Sequence, residues 1–143
     1  MNVRHIVPLL NNRALRDTLI LNNSQLLQQI RKDRMAKVTA VCISEKKGTK
    51  KHPAACITVR EHHGIEGDAH AGNWHRQISL LAQESVDEMR STGLRLAAGD
   101  FAENILTEGI DLKHLPVGTV LRVGETRLQV TQIGKECHND CEI

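Results

Sequence analysis

Apolar and polar positions alternate along this chain in short stretches, and the pattern predicts many strands and one helix. Lys37-Val38-Thr39-Ala40-Val41-Cys42-Ile43-Ser44 is dominated by β-branched and small apolar residues, which predicts a strand buried on both faces. A basic loop with Pro53 ends it, and residues 54–59 predict a second strand. Residues 61–74 are rich in Gly and His and show no period, so they are expected to be irregular. Ile78-Ser79-Leu80-Leu81 predicts a short strand. Ala82, Val86 and Met89 then fall at helical spacing, with Gly93 placed to stop the helix in a left-handed conformation. Residues 104–107 and 119–123 predict further strands, and Val123-Gly124-Glu125-Thr126 fits a two-residue hairpin leading into alternating Leu128 and Val130.

This order is strand-rich with one main helix, no βαβ rhythm and no internal repeat. It predicts a mainly β (α+β) fold, a small barrel rather than a doubly wound sheet. Residues 1–34 differ in texture. They are rich in Leu, Asn and Gln, and a short helix after Ser24 is the only element expected there, so they read as a leader before a domain spanning 35–143.

Composition narrows the function classes. At 143 residues the chain fits one domain. Trp74 and Phe101 are its only aromatic residues, so the core must be aliphatic. Nineteen basic against seventeen acidic residues leave a formal charge of +2, too small to imply a nucleic-acid binder, and no apolar run is long enough to span a membrane. Without a secretory h-region, the four cysteines are expected to be reduced thiols in a cytoplasmic protein.

Candidate chemistry gathers in two places. The first is Gly134-Lys135-Glu136-Cys137-His138-Asn139-Asp140-Cys141, where Lys135 and His138 favour a neighbouring thiolate and Glu136 and Asp140 oppose it. The second is the irregular segment with His62, His63, Asp68, His70 and His75, which lacks any standard zinc spacing. Arg76 offers a planar fork suited to phosphate. Asn104 offers a donor and an acceptor to a heterocycle edge, or equally to a turn. Lys46, Lys47, Lys50 and Lys51 form a cationic loop expected to be solvated. Cys42 and Cys56 read as small hydrophobes within apolar strands.

Several of these words resemble one family together: Gly67-Asp68-Ala69-His70-Ala71-Gly72, Trp74-His75-Arg76-Gln77-Ile78-Ser79-Leu80-Leu81, Gly99-Asp100-Phe101-Ala102-Glu103-Asn104-Ile105, Leu115-Pro116-Val117-Gly118-Thr119, and Gly134-Lys135-Glu136-Cys137-His138 with Cys141. The chain resembles small single-domain members of the MOSC family, named for the C-terminal domain of molybdenum cofactor sulfurase. The resemblance implies a β-barrel-like fold and a sulfur-carrier or cofactor-binding role in molybdenum cofactor biosynthesis or sulfuration. Cys141 matches the family's shared cysteine, and the resemblance implies that it carries sulfur as a persulfide or ligates molybdenum, with Cys137, part of the Gly-Lys-Glu-Cys-His word, expected as its resolving partner. Here Asp140 stands where relatives often carry a basic residue. His70, His75, Arg76, Asn104, Lys135 and His138 are the expected contacts to the molybdenum–pterin cofactor (molybdopterin).

The implied partners are a cysteine desulfurase-type sulfur donor, with its own pyridoxal phosphate, and molybdenum cofactor enzymes. The alternatives are a molybdenum-dependent oxidoreductase with Cys141 as metal ligand and a non-catalytic interaction domain. Relatives continue past the shared cysteine into closing strands, so an open sheet edge prone to self-association is expected.

Overall fold

The computed structural model describes residues 4–9 and 36–134. In chain order the elements are β1 (Arg4–Leu9), β2 (Lys37–Ile43), β3 (His52–Pro53), β4 (Val59–Arg60), β5 (Gly64–Ile65), β6 (Ile78–Ala82), α1 (Gln83–Arg90), β7 (Ile105–Glu108), a 3₁₀ turn (Leu112–His114), β8 (Val120–Val123) and β9 (Thr126–Ile133). Seven strands form one sheet in the order β3-β2-β7-β6-β1-β9-β8, and β4 and β5 make a separate ribbon. Among the described residues the fold is mainly β with one α-helix, its sheet curled into a half-barrel. Register shifts between His5 and Ile6 and between Val38 and Ala40 supply the bulges that bend such a sheet.

β6 holds the centre because both of its faces are covered. Ile78 and Leu80 join Ile6, Ile65, Ile105, Leu112, Leu128 and Val130 in the larger core, whereas Leu81 joins Val86 and Leu106 beneath α1. That helix starts without a side-chain cap and carries Glu84 in its first turn and Arg90 in its last, charges that suit the helix dipole. Gly93, at φ +94°, closes the turn that follows it, as the sequence predicts. The hairpin also forms as expected, with Val123 paired to Thr126 and Gly124 at φ +59°.

Five expectations need correction. Residues 4–9 form an inner strand of the sheet, paired to β6 on one side and β9 on the other, so this part of the supposed leader belongs to the core through Ile6. The helix expected after Ser24 lies outside the described residues. β2 is not buried on both faces; its first three residues are exposed, and burial is complete only at Cys42. Residues 54–58 form no strand, and Cys56 there is exposed. β6 and β7 run parallel and are joined through α1, a single crossover unit inside an otherwise antiparallel sheet. The fifth correction concerns Lys51 and belongs to the site.

Candidate functional site

Residues 66–77 contain neither strand nor helix, so side chains must hold them in place. Asp68 does most of this. Its side chain is fully buried, and Oδ2 accepts from Lys51 Nζ at 2.5 Å, Asn104 Nδ2 at 3.0 Å and the Ser44 backbone N–H at 3.2 Å. Oδ1 accepts from the His70 backbone N–H at 2.9 Å, and the His70 ring nitrogen Nδ1 lies 3.5 Å away. Burial is the largest single influence on Asp68 and pushes its pKa up. The hydrogen bonds from His70 and Lys51 together outweigh it and hold the carboxyl below the ordinary range. Asp68 is therefore a carboxylate, and Lys51 is its counter-charge. Burial pulls the Lys51 ammonium below its usual value, and the Asp68 contact restores part of the loss.

Lys51 was expected in a solvated loop. Its side chain is instead completely buried, while Lys50 keeps its ammonium in solvent and pairs with Asp100 at 3.0 Å. Successive residues of an extended segment point to opposite faces, which separates these two lysines. Gly99 makes the inward placement of Lys51 feasible. It accepts the Lys51 N–H at 2.8 Å, sits at φ +92°, and would bring a Cβ into collision with the Lys51 carbonyl.

Asn104 lies in the same buried layer. Its Nδ2 donates to the Cys42 carbonyl and to Asp68, both at 3.0 Å, and its Oδ1 accepts from the Ser79 backbone N–H at 3.1 Å. Ser79 Oγ lies 3.1 Å from both Asn104 Oδ1 and the Ala102 carbonyl, and its single proton serves one of them at a time. The amide of Asn104 is thus spent on the protein, and the expectation that it meets a heterocycle edge gives way to a structural role. Glu103, wholly buried, accepts from the Gly99 N–H at 2.5 Å and the Phe101 N–H at 3.2 Å, and burial raises its pKa. Burial, reinforced by Glu103, pushes the Cys42 thiol up to about 11, which leaves it an unreactive thiol as expected.

Outside this layer His70, His75 and Arg76 do come together, with Trp74 as their meeting point. The His70 ring stacks on the indole at 6.1 Å and 9°, and His75 meets it edge-on at 5.7 Å. Arg76 Cζ and Lys47 Nζ each lie 5.2 Å from the ring centroid. The indole N–H donates to the His70 carbonyl at 2.7 Å, which fixes the ring plane. Neither Lys47 nor Arg76 has a carboxylate partner among the described residues, and Arg76 Nε is buried without a hydrogen bond. Sequence reasoning missed Lys47, Lys51 and the hub role of Asp68; the only available signals were the Gly-Asp word and a lone tryptophan in a polar segment. No group of three potential metal ligands occurs among the described residues. Cys137, Cys141, Lys135 and His138 lie outside them.

The molecule is thus a mainly β half-barrel that gathers cations and histidines on one indole beside a buried Asp–Lys–Asn layer. The family model described as MOSC domain matches residues 66–141, and the chain belongs to that family. Its function is accordingly molybdenum cofactor-related. No curated protein and no solved structure matches the chain. No helix among the described residues is long and apolar enough to cross a membrane.

Proposed function

We propose that this protein is a sulfur-carrier or molybdenum cofactor-binding module of cofactor biosynthesis or sulfuration, acting in the cytoplasm through Cys141 with Cys137 as resolving thiol. The observation that carries the reading is the convergence of Lys47, His70 and Arg76 on Trp74, with neither Lys47 nor Arg76 paired to a carboxylate among the described residues. An aromatic ring with cations beside it suits a planar heterocycle bearing a phosphate, and the planar guanidinium of Arg76 suits phosphate oxygens. These residues fit the molybdenum–pterin group, which when bound would supply the metal and its exchangeable sulfur ligand. Lys47 and Arg76 would hold its anionic end, and Trp74 with His70 would orient its plane.

Thr131 Oγ1 donates to the His75 carbonyl at 2.5 Å, so the last residues of β9 before Gly134 run beside His75, next to Trp74 in sequence. In the carrier reaction the Cys141 thiolate attacks the outer sulfur of a donor persulfide. The new S–S bond forms as the old one breaks, and the donor thiol leaves as thiolate, with no net redox change. Attack of the Cys137 thiolate on the inner sulfur then expels hydrosulfide and leaves a Cys137–Cys141 disulfide. A dithiol reductant, oxidised in turn, restores both thiols. The donor is a cysteine desulfurase-type enzyme, and the acceptors are molybdenum cofactor enzymes.

Intact-protein mass spectrometry after incubation with a cysteine desulfurase and cysteine tests the reading. An adduct of about 32 Da, lost in Cys141→Ser and on reduction, is expected. A chain that stays bare, or that keeps the adduct in Cys141→Ser, overturns the role of Cys141. Bound molybdenum with redox turnover and no transferable sulfur would select the oxidoreductase instead.

A further inference from the structure

Gln77 is almost wholly buried, yet none of its side-chain hydrogen bonds goes to the Asp68 layer. Its Nε2 donates to the Gly72 carbonyl at 2.6 Å, and its Oε1 is buried without a hydrogen-bond partner. Gly72 is held from its other side as well: its own N–H donates to the His63 carbonyl at 2.7 Å, and its carbonyl also accepts the Trp74 N–H at 3.1 Å. One residue beyond His63, Gly64 lies against Gln77, where a Cβ would stand 2.9 Å from the Gln77 Cβ and 3.1 Å from its carbonyl oxygen. Gly64 is in the left-handed region at φ +96°, so the close approach and the conformation both require glycine.

We infer that Gln77 is a positioning residue: its one amide bond to Gly72 latches the loop that carries Trp74, and so sets the shelf on which His70, Lys47 and Arg76 meet. A structural role alone explains this side chain poorly, because a buried acceptor left unsatisfied disfavours the fold, and an apolar residue of the same length would fill the site without that penalty. The amide is retained where its donor is needed, at Gly72, two residues from Trp74. The inference rests on the shelf being the ligand site, and it concerns the geometry of the shelf before any ligand arrives.

Trp74 is the sole tryptophan, so its emission reports the latch directly. Gln77→Met keeps the length and volume of the side chain and removes both the donor and the orphaned acceptor. The expected result is an unchanged urea midpoint with at least a twofold larger iodide quenching constant for Trp74, and a shifted emission maximum in the absence of any ligand. An unchanged quenching constant in a folded Gln77→Met overturns the inference. Should this variant fail to fold, side-chain amide exchange in the wild type decides: one Gln77 Hε2 proton exchanging at least tenfold more slowly than an exposed amide supports the latch, and both exchanging freely overturns it. Titrating wild type with molybdate and with inorganic phosphate separates the two claims. No response of Trp74 to either anion refutes the shelf as an anion site, whereas the ligand-free quenching comparison alone refutes the latch.

Discussion

Removing the charge at Lys51 isolates the contribution of the buried layer. In Lys51→Met the aliphatic length stays and the ammonium goes, so Asp68 keeps three hydrogen bonds and loses its only buried counter-charge. Breaking a fully buried ion pair from one side costs about 3–5 kcal/mol, because a carboxylate is left uncompensated in a low dielectric. Asp68→Asn is expected to cost a similar amount by stranding Lys51 and by turning an amide N–H toward donors. In the double variant neither buried charge remains, so its loss should fall well short of the sum, with a coupling of at least about 2 kcal/mol. The exposed pair Lys37–Glu108, at 3.0 Å with side chains 63% and 44% exposed, is the internal control. Lys37→Met should change stability by no more than about 0.5 kcal/mol.

Urea unfolding followed by Trp74 emission and far-UV circular dichroism measures all four variants. The pH dependence provides a second reading. The folded pKa of Asp68 is depressed, so its contribution is complete above the ordinary carboxylate value of about 4 and is lost as pH falls toward the folded value. That acid loss should be absent in Asp68→Asn. A cost for Lys51→Met below about 1 kcal/mol, the range of surface pairs, would refute the claim that a buried ion pair organises this layer, as would a coupling within about 0.5 kcal/mol of zero.

Two further outcomes are expected. Because the folded Cys42 thiol titrates at about 11, its stabilising contribution is intact below the unfolded thiol pKa and should fade as pH rises from about 9 to 11, by on the order of 2–3 kcal/mol. Cys42→Ala should flatten the stability profile in that window, and Cys42→Ser should destabilise by about 1–3 kcal/mol at neutral pH, since its hydroxyl enters a site with no exposure; an unaltered alkaline slope in Cys42→Ala would contradict the assignment. Gly99→Ala should lose more than about 2 kcal/mol by pressing on the Lys51 carbonyl at φ +92°, while Ala102→Gly, at a non-glycine residue with φ +57°, should hold or gain about 1 kcal/mol; equal effects in urea melts would show that backbone conformation here is not under strain.

What could be read from the sequence was what depends on near neighbours. The strand at Ile78, the helix after it, its stop at Gly93 and the Gly124 hairpin are each set within a few residues, and all four formed. β1 could not be read, because six residues beginning Arg4-His5-Ile6-Val7 have no pattern that distinguishes an inner strand from a leader; its pairing to residues more than 70 positions away decides its place. The same division holds in the site. His70, His75 and Arg76 stood out by residue type in a polar segment, and Trp74 gathers them locally. Asp68 joins Ser44, Lys51 and Asn104 across separations of 24, 17 and 36 residues, and no local text encodes that.

The two layers are coupled by necessity. Fixing a residue's backbone costs about 1–2 kcal/mol, so the twelve residues 66–77, with no ladder of their own, need order from elsewhere on the scale of about 12–24 kcal/mol. Asp68 supplies it at one end by taking the His70 N–H on Oδ1 while Oδ2 is held by Ser44, just after β2, by Lys51 and by Asn104, just before β7; Gly72 supplies it in the middle, between His63 and Gln77. Trp74 lies beyond both anchors, and its indole N–H returns to the His70 carbonyl, closing the loop on itself. A ligand that engages Lys47 and Arg76 therefore meets a shelf whose ordering cost was met on folding, and it binds without having to freeze that loop. The buried carboxylate acts two residues along the chain: whatever loosens Asp68 frees the His70 backbone first, and with it the ring that stacks on Trp74, while the sheet beneath keeps its own hydrogen bonds.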